Sequence, residues 1–276
     1  MLKNQPYELR PIGLLENSLI SLDHHELYTV FYYLSININY SSTCLTGLKV
    51  LEIGCGAGEY CKSALNHGAQ FVLGLDISTY QINLAKMDFA ESEVPESCYL
   101  FEKSDYLHEF AMCREIINRY SSYFDKAMSF WTLSMAKNTS EVLEIVKNVF
   151  RLIKNKGDAV FLVVNPGIIE HFQTFKSLPR IENMEFTGVE ECEDYFLLTC
   201  NILEPYSSEI FMEVKHNVYS LDQLKKIFST FNLEIKHSGP LDLVPEDDQL
   251  ALPFKSLSRE ISKEYSLGWF IHVKKP

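Results

Sequence analysis

Val50-Leu51-Glu52-Ile53-Gly54-Cys55-Gly56-Ala57-Gly58-Glu59-Tyr60 is the stretch on which the reading of this chain turns. Its apolar opening, broken by one acid, reads as a short buried strand. Glycines at every second position follow, and Tyr60-Cys61-Lys62-Ser63-Ala64-Leu65 then begins a helical pattern. A strand that passes through a glycine turn into a helix makes a ligand cradle. Glycine backbone can approach a ligand closely, and the helix start presents unpaired N–H groups to an anion. The dinucleotide fingerprint needs Gly-x-Gly-x-x-Gly; here the third glycine comes one residue early and Glu59 stands in its expected place. The spacing present is Glu-x-Gly-x-Gly-x-Gly.

A second feature stands in register with the first. Gln70-Phe71-Val72-Leu73-Gly74-Leu75-Asp76-Ile77-Ser78 is another short apolar strand that ends in an acid. A carboxylate at the end of the second strand can accept hydrogen bonds from both ribose hydroxyls of a nucleoside. A glycine run by itself also suits a structural turn. Together with Asp76 it favours a nucleotide site.

Working outward, 276 residues suit one large domain, or one domain with an appended lid. Apolar residues at 46% and charged residues at 22% place the chain among globular proteins. The longest apolar run, residues 159–164, is too short to span a bilayer, and no basic-then-apolar leader opens the sequence. Seven cysteines, at 44, 55, 61, 98, 113, 192 and 200, form no Cys-x-x-Cys pair and join no histidine cluster at zinc spacing. They read as reduced thiols, mostly buried, in a cytoplasmic protein with no metal. The net charge of −12 opposes a phosphate backbone, so the expected partner is a small molecule and neither a nucleic acid nor a membrane. The expected assembly is a monomer or homodimer.

Residues 1–20 carry Pro6, Pro11 and Gly13 and read as irregular. From Leu22 to Leu34 apolar positions recur at helical spacing, with Ser21 or Asp23 as a cap and an unusual share of aromatics. This helix either packs on the sheet edge or closes over a pocket. After the glycine turn, strands ending at Asp76, running through Cys98 to Glu102, and from Tyr123 with its exit to Leu133 alternate with helices. A helix over 139–154 with Val142, Ile145, Val146, Val149, Phe150 and Ile153 on one face is expected to close at Gly157. Strand five follows from Asp158 to Pro166. This alternation predicts an α/β fold with a doubly wound, Rossmann-like, mainly parallel sheet. Beyond Pro166 the rhythm changes to a short helix, an antiparallel hairpin over 196–219, a helix from Leu221 capped by Ser220, and two closing strands, one of them antiparallel at the sheet's edge.

The Glu52 to Gly58 pattern, with Asp76 in register, resembles motif I and its partner in the class I methyltransferases that use S-adenosylmethionine (SAM). Within that family, Phe124-Asp125-Lys126 with Ser129-Phe130-Trp131-x-Leu133, then Val149 to Lys154 and Gly157, resembles small-molecule enzymes of the toxoflavin and juvenile hormone acid methyltransferase type. The hormone-type enzymes often carry His-Trp where this chain has Ser134-Met135. Asn165-Pro166 follows strand five rather than strand four, which separates it from the adenine-methylating Asn-Pro-Pro-Tyr motif.

The resemblance implies a seven-stranded sheet with an N-terminal helical lid (1–43), a SAM-binding core (44–166), an inserted β-hairpin cap on the substrate side (167–220) and a C-terminal completion of the sheet (221–276). It implies that Gly54, Cys55, Gly56 and Gly58 pass beneath SAM and that Glu52 helps hold its methionine end. Asp76 would hold the ribose, Ile77 would cover the adenine, and Ser104 with Asp105 would meet the adenine edge. Asp105 also suits a helix N-cap. Phe130 would lie at the methionine moiety, and Tyr28, Tyr32 and Trp131 at the acceptor; Trp131 equally suits core packing. Transfer from a sulfonium is an in-line displacement that needs alignment more than a triad. Where a base is required, His24, His25, His171 and Tyr206 are the candidates. The expected product is S-adenosylhomocysteine. Two other classes remain open: a non-catalytic SAM-fold sensor, and an NAD-dependent oxidoreductase, which the glycine spacing disfavours.

Overall fold

Five apolar runs become five parallel neighbours: Lys49–Ile53 (β1), Phe71–Asp76 (β2), Tyr99–Lys103 (β3), Phe124–Phe130 (β4) and Ile153–Val164 (β5). Strands covered on both faces can be apolar along their whole length, and the last eight residues of β5 are all buried. The structure is a computed structural model that describes residues 45–106, 114–175, 180–181, 184–203, 210–240 and 268–276. The expected aromatic helix at 22–34, and with it Tyr28, Tyr32, His24 and His25, lies outside the described residues, as does Tyr206.

The sheet has seven strands in the order β10-β11-β5-β4-β1-β2-β3, where β10 is Glu234–Pro240 and β11 is Gly268–Lys274. From β1 the chain moves outward through β2 to β3, then returns to the other side of β1 for β4 and β5. The carboxyl ends of β1 and β4 therefore flank the switch point where open α/β sheets bind ligands.

Helices Glu59–Asn66 (α1) and Thr79–Glu91 (α2) cover one face, where Cys61, Ala64, Ile82, Ala85 and Phe89 meet Val50 and Val72. Helices Arg114–Tyr120 (α3), Thr139–Leu152 (α4) and Leu221–Thr230 (α6) cover the other. On α4 the expected apolar stripe is fully buried at Val142, Ile145, Val146 and Val149, each worth about 1.5–3 kcal/mol in burial. Asn148 is fully buried beside them because its amide donates to Tyr106 O at 3.0 Å. Both expected serine caps are present: Ser78 Oγ accepts from Gln81 N, and Ser220 forms a reciprocal capping box with Gln223.

Three expectations need correction. Gly157 does not end α4, which stops at Leu152 and passes directly into β5 at Ile153. The pairing of β4 with β5 slips between Phe124 and Lys126, so the residues after Ile153 bulge and Lys156, not Gly157, takes the positive φ of 65°. The antiparallel strand is not at the edge: β11 lies between β5 and β10 and runs antiparallel to both. The insertion is larger than a hairpin. Phe196–Leu203 (β8) and Ile210–Val218 (β9) belong to a four-stranded antiparallel sheet with Arg180–Ile181 (β6) and Met184–Glu191 (β7).

This small sheet sits at the carboxyl end of β5. Its Phe186, Leu198, Cys200 and Val218 pack with Val164 and with Ile168 and Ile169 of Gly167–Phe175 (α5). Trp131, just past β4, touches both this cluster and the α1-side core. Tyr219 Oη donates to Ala136 O at 2.8 Å, and Asn217 donates its amide to the same carbonyl.

Candidate active site

The glycine turn is built by backbone conformations that side chains disfavour. Gly54, Gly56 and Gly58 take φ of 76°, 52° and 91°. The loop is pinned below by Gly54 N and Cys55 N, which both donate to Leu75 O at the end of β2. The three glycines meet different surroundings. A Cβ at Gly54 would overlap Thr132 Oγ1, and one at Gly58 would press on Phe101 at 3.0 Å. A Cβ at Gly56 would meet nothing within 4 Å. Gly54 and Gly58 are thus glycine for the fold, and Gly56 presents bare backbone to open space.

Asp76 organises that backbone. Its Oδ2 accepts from Gly56 N at 2.9 Å and its Oδ1 from Ser78 N at 2.8 Å. Burial pushes its pKa up, opposed by these backbone N–H groups, from Ser78 first and then Gly56. Each carboxylate oxygen has a further lone pair, so the group can hold the loop and still accept from a ligand hydroxyl. Ile77 beside it is 38% exposed, an apolar side chain left uncovered at the mouth of the cradle. Ser104 N donates to Asp76 O at 2.9 Å, and its buried Oγ has no hydrogen-bond partner among the described residues. Asp105 follows it, half-buried.

Glu52 stands apart from that surface. It is fully buried on β1, where Oε2 accepts from the Cys61 thiol at 2.9 Å and Oε1 has no partner among the described residues. Burial raises its pKa to about 8, with the nearby Asp76 adding to the rise and the Cys61 hydrogen bond opposing it. The Cys55 side chain is also buried, and burial pushes its thiol pKa up. Both residues support the cradle from beneath.

At the end of β4, Phe130 packs edge-on against Tyr60 of α1, with ring centroids 4.7 Å apart. Trp131 follows with φ 61° and ψ −9°, a left-handed backbone rarely adopted by so bulky a residue. Its amide is held by Leu162 O at 2.8 Å, and its buried Nε1 has no partner among the described residues. Thr132 Oγ1, 3.0 Å from Ile53 O and 3.2 Å from Phe130 O, ties the tips of β1 and β4 together. Ser134 Oγ accepts from Val164 N at 3.3 Å, which joins the exit of β4 to the end of β5.

The structure therefore brings together Gly54, Gly56, Gly58, Asp76, Ile77, Ser104, Asp105, Phe130 and Trp131 around one end of the sheet. His171 lies half-buried on α5. A residue missed from the sequence is His216 on β9, directly opposite the buried Leu198. Its Nδ1 is sealed from solvent with no partner among the described residues, and burial lowers its pKa to about 4. The signal was available: in Val214-Lys215-His216-Asn217-Val218 the histidine occupies an inward slot of the strand's alternation.

The open glycine backbone, the acid that holds it, the uncovered Ile77 and the unpartnered Ser104 hydroxyl fit a nucleoside laid across the switch point. No group of three or more His, Cys, Asp or Glu side chains suited to a metal is found among the described residues, and no described helix is long and apolar enough to cross a membrane. The chain is similar to ubiquinone biosynthesis O-methyltransferases, at 46% identity over 55 residues with that of Rhodopseudomonas palustris strain HaA2 and 28% over 121 residues with that of Escherichia coli. These matches cover 20% and 44% of this chain, and they span 21% and 45% of the two relatives. In fold the chain is similar to the solved SAM-dependent methyltransferase of Clostridium acetobutylicum, with a TM-score of 0.61, 12% identity, and coverage of 96% of this chain and 97% of that one. A model of the family described as methyltransferase domain matches residues 27–238, well over half of the sequence, and the chain belongs to that family.

Proposed function

We propose that this protein is a SAM-dependent methyltransferase that acts on a small molecule at a hydroxyl, chiefly by positioning. The observation that carries this reading is the Gly56–Asp76 pair: backbone open to a ligand on one side, held by a carboxylate with acceptor capacity to spare on the other. Gly56 and its neighbours support the cofactor from below. Asp76 receives the ribose, Ile77 covers the adenine, and Ser104 with Asp105 meets its polar edge. Phe130 and Trp131 border the methionine end, where an aromatic face stabilises a sulfonium. Bound there, SAM supplies an activated methyl group and a neutral leaving group.

The chain's own task is then to hold the acceptor in line and keep water away. The small sheet, anchored at Ala136 and packed on Val164, serves as the substrate-side cap. Acceptor chemistry at oxygen is supported by the similarity to the ubiquinone biosynthesis O-methyltransferases. The narrower likeness to the hormone-acid type has less support, since Ser134 is spent on the Val164 amide.

Calorimetric titration with SAM, S-adenosylhomocysteine and NADH tests the reading. SAM and its product should bind and NADH should not. Transfer of a labelled methyl group in a single turnover, across a panel of hydroxylated metabolites, separates an enzyme from a nucleoside sensor. Binding of SAM with no transfer to any acceptor would favour the sensor.

A further inference from the structure

Among the described side chains, the inner row shared by β8 and β9 is apolar except at one position. Along β9, Val214, His216 and Val218 share a face, and their partners on β8 are Cys200, Leu198 and Phe196. Leu198, Cys200 and Val218 join Val164, Ile168 and Ile169 in the cluster that roots the sheet, and Trp131 packs against it. His216 thus enters this layer as its polar member. A buried polar atom without a partner opposes folding, so its presence points to a ligand that completes it.

Two such atoms border this cluster. Trp131 Nε1–H can only donate, and His216 Nδ1 can accept when the ring's other nitrogen carries the proton. A hydroxyl is the group that satisfies both, since it donates one hydrogen bond and accepts others. A carbonyl, ether or carboxylate oxygen only accepts and would pair with His216 solely in the tautomer that carries the proton on Nδ1, whereas a hydroxyl pairs with the ring in either tautomer.

We propose that His216 is a catalytic residue that receives the acceptor's hydroxyl hydrogen at Nδ1, with Trp131 Nε1–H on the same oxygen. The inference rests on the methyltransferase reading above. As the acceptor oxygen forms its bond to the methyl carbon, the carbon–sulfur bond breaks and its electron pair stays with sulfur. The hydroxyl proton passes to Nδ1 and from the ring to water. Burial keeps the imidazole neutral across the physiological range, so the ring is always ready to accept and does not retain the proton. The strained backbone of Trp131 fits the same account, because strain persists where the surroundings fix a functional geometry.

The test uses the full chain, S-adenosylhomocysteine, and phenol as the minimal aromatic hydroxyl. With isotope-labelled histidine, one imidazole should remain neutral down to about pH 5 and its Nδ1 resonance should move when phenol is added. His216→Phe should remove that resonance, leave S-adenosylhomocysteine affinity unchanged, keep or raise the melting temperature, and weaken phenol by about tenfold or more. His216→Gln, which retains an acceptor oxygen, should recover part of that loss. Phenol that leaves the His216 resonance unmoved, or binds His216→Phe as well as the wild type, overturns the proposal. Failure of the wild type to bind S-adenosylhomocysteine overturns the methyltransferase reading instead.

Discussion

Thr132 Oγ1 occupies the place where a side chain at Gly54 would begin. The hydroxyl lies 3.0 Å from Ile53 O, so the end of β4 is fastened to the end of β1 through the space that the glycine leaves. Gly56, two residues on, has no protein atom in the corresponding space. One motif therefore contains glycines with different tasks.

Substitution should separate those tasks. Gly54→Ala meets both a left-handed backbone, about 1–2 kcal/mol, and overlap with Thr132, about 1–3 kcal/mol. Gly56→Ala meets only the backbone term, and its methyl group projects into the ligand's space. Thermal melts should show Gly54→Ala as the less stable variant. Calorimetry should show Gly56→Ala, and more so Gly56→Val, losing S-adenosylhomocysteine while folded. Equal stability of the two alanine variants would contradict this division.

Asp76→Ala should weaken S-adenosylhomocysteine by about 2–3 kcal/mol, roughly 30- to 150-fold. The variant loses the ribose acceptor and also releases Gly56 N and Ser78 N. Asp76→Asn keeps one acceptor oxygen for those amides and should fall between. Wild-type affinity in a folded Asp76→Ala protein would remove the ribose assignment.

How far the sequence reached depended on whether local pattern and tertiary context agreed. The five parallel strands were legible because two-sided burial makes them continuous apolar runs, and the glycine turn because its spacing has few other uses. Strand β7 was not. Met184-Glu185-Phe186-Thr187-Gly188-Val189-Glu190-Glu191 is interrupted by Gly188 where its pairing with β8 shifts register. Gly157 misled because Asn155-Lys156-Gly157 has the composition of a helix end, whereas Asp125 and Lys154, paired at 2.6 Å, span a bulge there. His216 was passed over because a lone histidine in a strand has no local signature. Its meaning comes from what the small sheet packs against.

Glu52 should make stability fall as pH rises. Its carboxyl titrates at 4.5 in the reference state and at about 8 when folded, so the folded protein binds the proton more tightly. The stabilisation is complete below about 4.5 and is lost as pH passes through about 8. The whole effect is on the order of a few kcal/mol. Glu52→Gln keeps an acceptor for the Cys61 thiol and removes the titration. Its melting temperature should stay level between about pH 6 and 9 while that of the wild type declines. Parallel curves would mean that Glu52 is ionised in the folded protein.

The small sheet is fastened at one end, which predicts how it should move. Ala136 O receives both Tyr219 Oη and the Asn217 amide, and Val218 between them is buried in the cluster with Val164, Ile168 and Ile169. At the far end of β9, Ile210 is 60% exposed. A cap that closes on its acceptor should hinge from that fastened base, as lids do. Hydrogen exchange should be slow at residues 217–219 in the free protein and faster towards residue 210. S-adenosylhomocysteine with phenol should slow the far end and leave the base unchanged. Tyr219→Phe should cost about 0.5–1.5 kcal/mol and quicken exchange at the base, since a buried hydrogen bond is lost while Asn217 still serves the carbonyl. Uniformly slow exchange along β9, unaltered by ligand, would make the sheet a fixed buttress beside the site rather than a cap over it.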